Sequence, residues 1–299
     1  MATGLSLHIG LNSVDPAHYS GWAGPLSACE ADAQDMEAIA RARGAKPTRL
    51  LTAAATRQAV IKAIGSAAKT LKTGDYFLLS YSGHGGQVKD TSGDESDGTD
   101  ETWCLYDGQL IDDEIYQLFA KFASGVRILV LSDSCHSGTV TRDLLVRAAG
   151  VDGAPRAMPL DVALKVYRDN RAFYDGLQAG LRKIHESPAL AAASQQLGTP
   201  VAPQTAQAAY WISQHVRLGV QASVVLISGC QDNQVSLDGA FNGAFTGRLL
   251  QVWGNGAFKG NHVQFHQAIV AGMPPTQTPN LFTYGPAVAT FQGQRPFSV

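Results

Sequence analysis

Tyr76–Gly86, YFLLSYSGHGG, and Arg127–Gly138, RILVLSDSCHSG, decide the architecture. Each opens with an apolar run of strand length and closes on small, polar and reactive residues, with His84 just past the first run and Cys135 just past the second. Strands that lack polar alternation are those covered on both faces, the usual condition of a parallel sheet. In such a sheet both tails emerge at one edge, beyond the carboxyl ends of the strands, where ligands bind in open α/β folds. If these two strands are neighbours, His84 and Cys135 face each other.

The pattern continues outward from this pair. Leu5–Leu11 reads as a strand, Ala28–Arg41 as a helix and Leu50–Thr52 as a short edge strand. Thr56 caps a helix whose Val60, Ile61, Ile64, Ala68 and Leu71 follow helical spacing. An acidic loop leads into a second amphipathic helix carrying Ile115, Leu118, Phe119 and Phe122. Val224–Ser228 resumes the strands, helices follow near Phe241–Trp253 and His262–Val270, and a last strand lies near Leu281–Tyr284. Strands alternating with helices imply a mostly parallel sheet with helices on both faces. Roughly Leu144–Gln221 breaks the rhythm with Ala, Gln and scattered Arg and Lys, and is helical around Asp161–His185. We read it as an insertion (144–221) within one domain spanning 1–299.

Of the 299 residues, 45% are apolar and 16% charged, and the formal net charge of -2 offers no basic field for a nucleic-acid backbone. No basic n-region precedes the first short apolar run, and no apolar stretch reaches 18 residues. The expectation is a cytoplasmic protein with no membrane and no nucleic-acid partner. Cys29, Cys104, Cys135 and Cys230 lie far apart without a C-x-x-C pair, so reduced thiols are expected.

A thiol is mostly protonated at neutral pH, and a close imidazole either takes its proton or stabilises its thiolate. Acyl transfer also needs donors for the developing oxyanion. Gly85 and Gly86 leave the backbone N–H after His84 unobstructed, and the N–H of Cys135 is a second candidate. A lone Cys or His is more often packing than catalysis, but a strand-ending His about 50 residues ahead of a strand-ending Cys matches the order noted for caspases, without their Q-A-C-x-G signature. Asp133, two residues before Cys135, sits beside that chemistry.

Through LSACEADAQDM, FLLSYSGHGGQ, GDESDGTDETW, IDDEI and DSCHSG, and again at VLISGCQDNQ, the chain resembles the metacaspases. The resemblance implies a caspase-like α/β/α sandwich with about six strands, a dyad at Cys135 and His84, and cleavage after Arg or Lys. His136, beside the nucleophile, is not the base in this pattern. The resemblance further places Cys29, Asp32 and Ser82 in the pocket with Asp133; on residue type alone, Asp32 would be a solvated charge and Cys29 core packing.

Ten of the 25 acidic residues fall between Asp90 and Glu114, with no basic residue among them, a density that asks for a cation or a solvated loop. GDESDGTDE does not fit an EF-hand. Many metacaspases are calcium-activated, and the matching positions are Asp100, Asp112 and Asp113, with Asp143 displaced by one from the fourth. Asp112 and Asp113 also suit the first turn of a helix. Ca²⁺ is thus expected only as an activator, and the chemistry needs no cofactor. No nucleotide or zinc motif occurs, and Cys104, Cys230, His262 and His266 read as structural.

The leading expectation is a cysteine endopeptidase acting on protein or peptide substrates with Arg or Lys before the cut. The insertion offers Arg142, Arg147, Arg156, Lys165, Arg168, Arg171, Arg182 and Lys183 for self-processing. The alternative is a signal-gated effector or scaffold whose insertion binds a regulatory ligand or partner.

Overall fold

The computed structural model describes residues 2–89, 99–135, 154–185, 219–230, 236–239 and 241–299. A six-stranded sheet forms its centre, made of β1 (Gly4–Gly10), β2 (Lys46–Leu51), β3 (Tyr76–Ser82), β7 (Arg127–Asp133), β8 (Ser223–Ser228) and β9 (Asn280–Tyr284). Their order across the sheet is β2-β1-β3-β7-β8-β9. All pairings are parallel except β8–β9. Three further strands, β4 (Gly85–Lys89), β5 (Thr99–Leu105) and β6 (Gly108–Ile111), make a small antiparallel sheet.

Side-chain alternation divides the core into two layers. Phe77, Leu79, Tyr81, Ile128 and Val130 face one side, packed with Val60, Ile64 and Ala67 of α2 (Arg57–Thr70) and with Ile115, Leu118 and Phe119 of α3 (Asp112–Phe119). Tyr76, Leu78, Leu129, Leu131, Val225 and Ile227 face the other. They meet Met36 and Ile39 of α1 (Cys29–Ala42), Phe245 and Leu249 of α6 (Ala244–Trp253), and Phe265 and Ile269 of α7 (His262–Val270). Helices α4 (Leu160–Asp169) and α5 (Arg171–His185) are the described part of the expected insertion, and a short α8 (Val288–Gln292) closes the chain. This is the expected sandwich of mostly parallel strands between helices. No helix among the described residues is long and apolar enough to cross a membrane.

Two readings are corrected. The edge strand β2 is longer and earlier than Leu50–Thr52, and Thr52 already belongs to a 3₁₀ turn. The second half of the acidic stretch is not a loop: Thr99–Leu105 is a strand, whose acidic Asp100 and Glu101 weaken the strand signal that Trp103 and Leu105 carry. Residues 90–98 lie outside the described set. Thr56 does cap α2, accepting from the Ala59 N–H at 3.2 Å.

His8 in β1 is buried between the hydroxyls of Ser6 and Ser80, each 2.9 Å away, and burial pushes it down to about 3. His262 is pushed down to about 4, again chiefly by burial. The unfolded chain takes these protons near 6.5, so between there and the folded values it binds more of them, and stability present above 6.5 is lost as pH falls. Thermal melts should therefore show Tm dropping steadily from pH 7 to pH 4, with a shallower slope in His8→Asn; a Tm flat across that range would contradict the neutral buried state.

Candidate active site

The register Ser82↔Asp133 makes β3 and β7 immediate neighbours, so the segments carrying His84 and Cys135 leave the sheet side by side. His84 is fixed through its backbone, because its carbonyl accepts from the Tyr81 hydroxyl at 2.7 Å and from the Cys104 N–H at 2.9 Å. Tyr81 in turn stacks on Trp103 at 4.5 Å and 6°, which ties the small sheet to the large one. The ring packs against Trp22 at 4.7 Å, and its Nε2 lies 3.0 Å from the Gly24 carbonyl. A carbonyl only accepts, so Nε2 carries the proton and Nδ1, buried and without a hydrogen-bond partner, presents a lone pair. Gly24 is required there: its φ is +51°, and a Cβ would meet the His84 ring at 2.9 Å. Burial pushes His84 down to about 4 despite the Gly24 bond, so the imidazole is neutral near pH 7.

Cys135 is fully buried. Its sulfur lies 2.7 Å from the Cys230 sulfur, both thiols being free, and the Ser236 N–H points at it. Cys230, read from the sequence as structural, is thus in contact with the candidate nucleophile.

Arg156 fills the cavity beside Cys135 and is wholly buried. Its Nη2 donates to Asp32 Oδ2 at 2.8 Å and to Asp238 Oδ1 at 2.9 Å; Nη1 donates to Ser82 Oγ at 2.8 Å and lies 3.0 Å from Asp133 Oδ2. The carboxylates are themselves held. Asp32 accepts from Asn242 and the Gly243 N–H, and Asp133 from Thr246 and Ser236. Asp238 accepts from the Ser27 and Ala28 N–H groups. Burial, with the charge of Asp133, pushes Asp32 up even against Arg156. Burial acts upward on Asp238 too, but its bonds from Arg156 and Ser27 hold it below the usual range. Gly243 is the pocket floor: a Cβ there would meet the Arg156 guanidinium at 2.4–2.6 Å.

The main chain around Arg156 is held as firmly. The Arg156 carbonyl accepts from the Gly85 N–H at 2.9 Å and the Cys135 N–H at 3.1 Å, the two donors expected for an oxyanion. Its N–H donates to the Ser236 carbonyl at 2.9 Å, and the Ala154 carbonyl accepts from the Asp238 N–H at 2.9 Å. On the other side the Met158 N–H donates to the Gly85 carbonyl at 2.7 Å. Residues 154–158 thus lie extended between two strand-like edges, bridged at Pro155↔Leu237 and Gly85↔Ala157.

Of the residues expected from sequence, Cys135, His84, Gly85, Asp133, Asp32 and Ser82 converge here. Cys29 is buried beside Ser82, its thiol pushed up to about 12 by burial, so it lines the site as an inert group. Asp100, Asp112 and Asp113 lie buried elsewhere: Asp100 accepts from Gln178 Nε2 at 2.6 Å, and the other two open α3. No group of three or more His, Cys, Asp or Glu able to hold a metal ion occurs among the described residues, and Asp143 lies outside them. Sequence reasoning missed Asp238, Ser236, Gly243 and Thr246, which follow the last matched motif, VLISGCQDNQ, and carry no signal of their own.

The model of the caspase domain family matches residues 14–283, so the chain belongs to the caspase-domain cysteine peptidases. Its curated relatives are metacaspases. Metacaspase-1 of Schizosaccharomyces pombe is 34% identical over 65% of this chain and 44% of the relative, and Metacaspase-1 of Mycosarcoma maydis 29% identical over 81% and 59%. The chain therefore spans about half the length of these relatives. Among solved structures, protein GSU0716 of Geobacter sulfurreducens is 55% identical and superposes with a TM-score of 0.81 over 99% of both chains. Caspase-1 of Spodoptera frugiperda, 10% identical, has a TM-score of 0.50 over 95% of this chain and 86% of its own, a likeness of fold.

Three carboxylates around one guanidinium make the pocket asymmetric in charge. Removing the cation strands buried anions, which costs about 3–5 kcal/mol when a buried pair is broken. Removing one anion relieves repulsion between the others. In the Cys135→Ala background, urea unfolding should show Arg156→Met losing about 3–5 kcal/mol, while Asp32→Asn, at a carboxyl that burial already pushes toward its neutral form, loses less. The reverse order would contradict this balance.

Proposed function

We propose that this chain is a cysteine endopeptidase that hydrolyses peptide bonds after Arg, and more slowly after Lys, with 1–299 acting as one peptidase domain. Cys135 is the nucleophile, His84 moves the proton, and the N–H groups of Gly85 and Cys135 receive the oxyanion. The observation that carries this reading is the seat of Arg156, whose side chain lies among Asp32, Asp133 and Asp238 while its carbonyl oxygen accepts from those two N–H groups. One residue satisfies the pocket and the oxyanion donors together, as a residue preceding a cleaved bond must.

In the reaction the Cys135 thiol gives its proton to His84 Nδ1 as its sulfur adds to the substrate carbonyl carbon, and charge gathers on the carbonyl oxygen against the two N–H groups. The C–N bond breaks as His84 protonates the leaving amine. Water, deprotonated by His84, then hydrolyses the thioester and restores the thiol. The preference for Arg follows from the fork: Nη1 and Nη2 each have acceptors on different carboxylates, whereas an ammonium presents one point charge. Asp, an anion among anions, is excluded. Ca²⁺ takes no part in the bond-breaking steps, and an activating role through Asp100, Asp112, Asp113 and Asp143 is read by comparing Ca²⁺ with EDTA.

Fluorogenic peptides with Arg, Lys or Asp before the cut test this reading, with Ca²⁺ or EDTA. Turnover should follow Arg, then Lys about tenfold lower, with none after Asp; Cys135→Ala should be inert, and Asp133→Ala should lose roughly 10²-fold in kcat/KM. Gly243→Ala should lose Arg cleavage while iodoacetamide still alkylates Cys135. Cleavage after Asp, or activity in Cys135→Ala, would sink the assignment.

A further inference from the structure

The peptidase mechanism leaves one buried thiol beside the nucleophile without a task. Cys230 Sγ lies 2.7 Å from Cys135 Sγ, and both thiols are free. We propose that Cys230 is the resolving cysteine of a reversible disulfide with Cys135, formed on oxidation by hydrogen peroxide, and that this bond switches the peptidase off. The inference rests on the peptidase reading above for what the bond silences, whereas the bond itself is read by mass.

The sheet brings the two sulfurs together. β7 and β8 are parallel neighbours in the register Ser132↔Ser228, so Cys135 and Cys230 follow adjoining strands off the same edge. Neighbouring strands lie about 4.8 Å apart, within the Cα separations of roughly 4.4–6.8 Å that a disulfide spans. The turns beyond the strands are also tied together. The Gly229 N–H donates to the Ser132 carbonyl at 2.7 Å, and Gln277 Nε2 donates to the Gly229 carbonyl at 3.0 Å and to Ser236 Oγ at 2.9 Å. The Ser236 N–H in turn points at the Cys135 sulfur. Leu237 and Ala157 pack around the pair. Cys230 also lines a cavity with Trp103, Ser132, Leu226 and Ser228 that has room for molecules of water's size, so a small oxidant has a way to the pair besides the cleft that residues 154–158 fill. The other two cysteines lie apart, Cys104 among Val14, Tyr19 and Met158 and Cys29 beside Ser82.

The steps balance with hydrogen peroxide as the oxidant. The Cys135 sulfur, its proton passed to His84, attacks one peroxide oxygen; the O–O bond breaks, and the departing hydroxide takes that proton and leaves as water. Cys135 is now a sulfenic acid. The Cys230 sulfur attacks the sulfenic sulfur, the S–O bond breaks, and the second hydroxide leaves as water with the Cys230 proton. Two thiols have given two electrons to one peroxide. A sulfur bonded to Cys230 has no thiolate to add to a carbonyl, so hydrolysis stops. The contact also decides the fate of the sulfenic acid. A thiol already in place traps it before a second peroxide carries it to sulfinic acid, which thiols do not reverse. A dithiol reductant returns both cysteines by exchange.

Peptide mapping by mass spectrometry, alongside turnover of an Arg peptide, tests this on the full chain treated with hydrogen peroxide and then N-ethylmaleimide. Wild type should yield a peptide pair cross-linked through Cys135 and Cys230 and regain most of its turnover in dithiothreitol. Cys230→Ser should form no cross-link, gain two or three oxygens at Cys135, and regain under about a tenth of its own starting turnover. If Cys230→Ser does not fold, the wild-type map and its recovery in dithiothreitol decide alone. Wild type whose Cys135 goes straight to sulfinic acid, or links to Cys29 or Cys104, overturns the proposal, as does recovery of Cys230→Ser as complete as that of wild type. Cross-linking in a chain inert on every peptide before oxidation overturns the peptidase reading and the switch with it. An active chain that forms no cross-link overturns the switch alone and leaves the peptidase reading standing.

Discussion

A guanidinium buried among three carboxylates organises the active end of this molecule. A charge without water is tolerated only when it is paired and hydrogen-bonded, and Arg156 finds its partners on three separate parts of the chain: Asp32 in α1, Asp133 at the end of β7, and Asp238 before α6. Each carboxylate is fixed by further donors, including backbone N–H groups at Ala28, Gly243 and Thr246. The pocket carboxylates are thus held from several elements at once, and their charge belongs to elements that the parallel sheet brings to one edge.

The catalytic groups depend on the same edge. The pairing of β3 with β7 aligns Ser82 with Asp133, so a pocket hydroxyl and a pocket carboxylate sit side by side, and the next residues of each chain carry His84 and Cys135. Tyr81 then links the two sheets through the His84 and Cys104 carbonyls. The neutral imidazole and the pocket anions are products of burial, but with opposite consequences. Burial strips His84 of its charge, whereas the carboxylates have a cation to face.

Much of this was legible in the sequence because its signals are local. Unbroken apolar runs at Tyr76–Tyr81 and Val126–Leu131 mark central parallel strands, helical spacing marks α2 and α3, and His84, Gly85, Cys135 and Asp133 follow directly from where those strands end. What stayed hidden is long-range or disguised. Asp238 and Gly243 acquire meaning only when the chain returns to the pocket 211 residues beyond Ser27 and Asp32. β5 is a strand whose Asp100 and Thr102 are buried polar groups satisfied by side chains such as Gln178 and Gln109, partners that no local pattern reveals. Arg156 was one of eight basic residues named for self-processing, and against Lys165, Arg168, Arg171 and Arg182, the others whose side chains are described, it alone is buried.

The competition between Arg156 and an external arginine for one pocket is most directly read by labelling. A peptidyl-arginine halomethylketone should alkylate Cys135 of Arg156→Gln rapidly and Cys135 of wild type with an intact chain slowly, with peptide mapping by mass spectrometry to locate the adduct. Equal labelling rates in the two proteins, or an adduct on any residue other than Cys135, would contradict the assignment of the pocket, its nucleophile and its occupant.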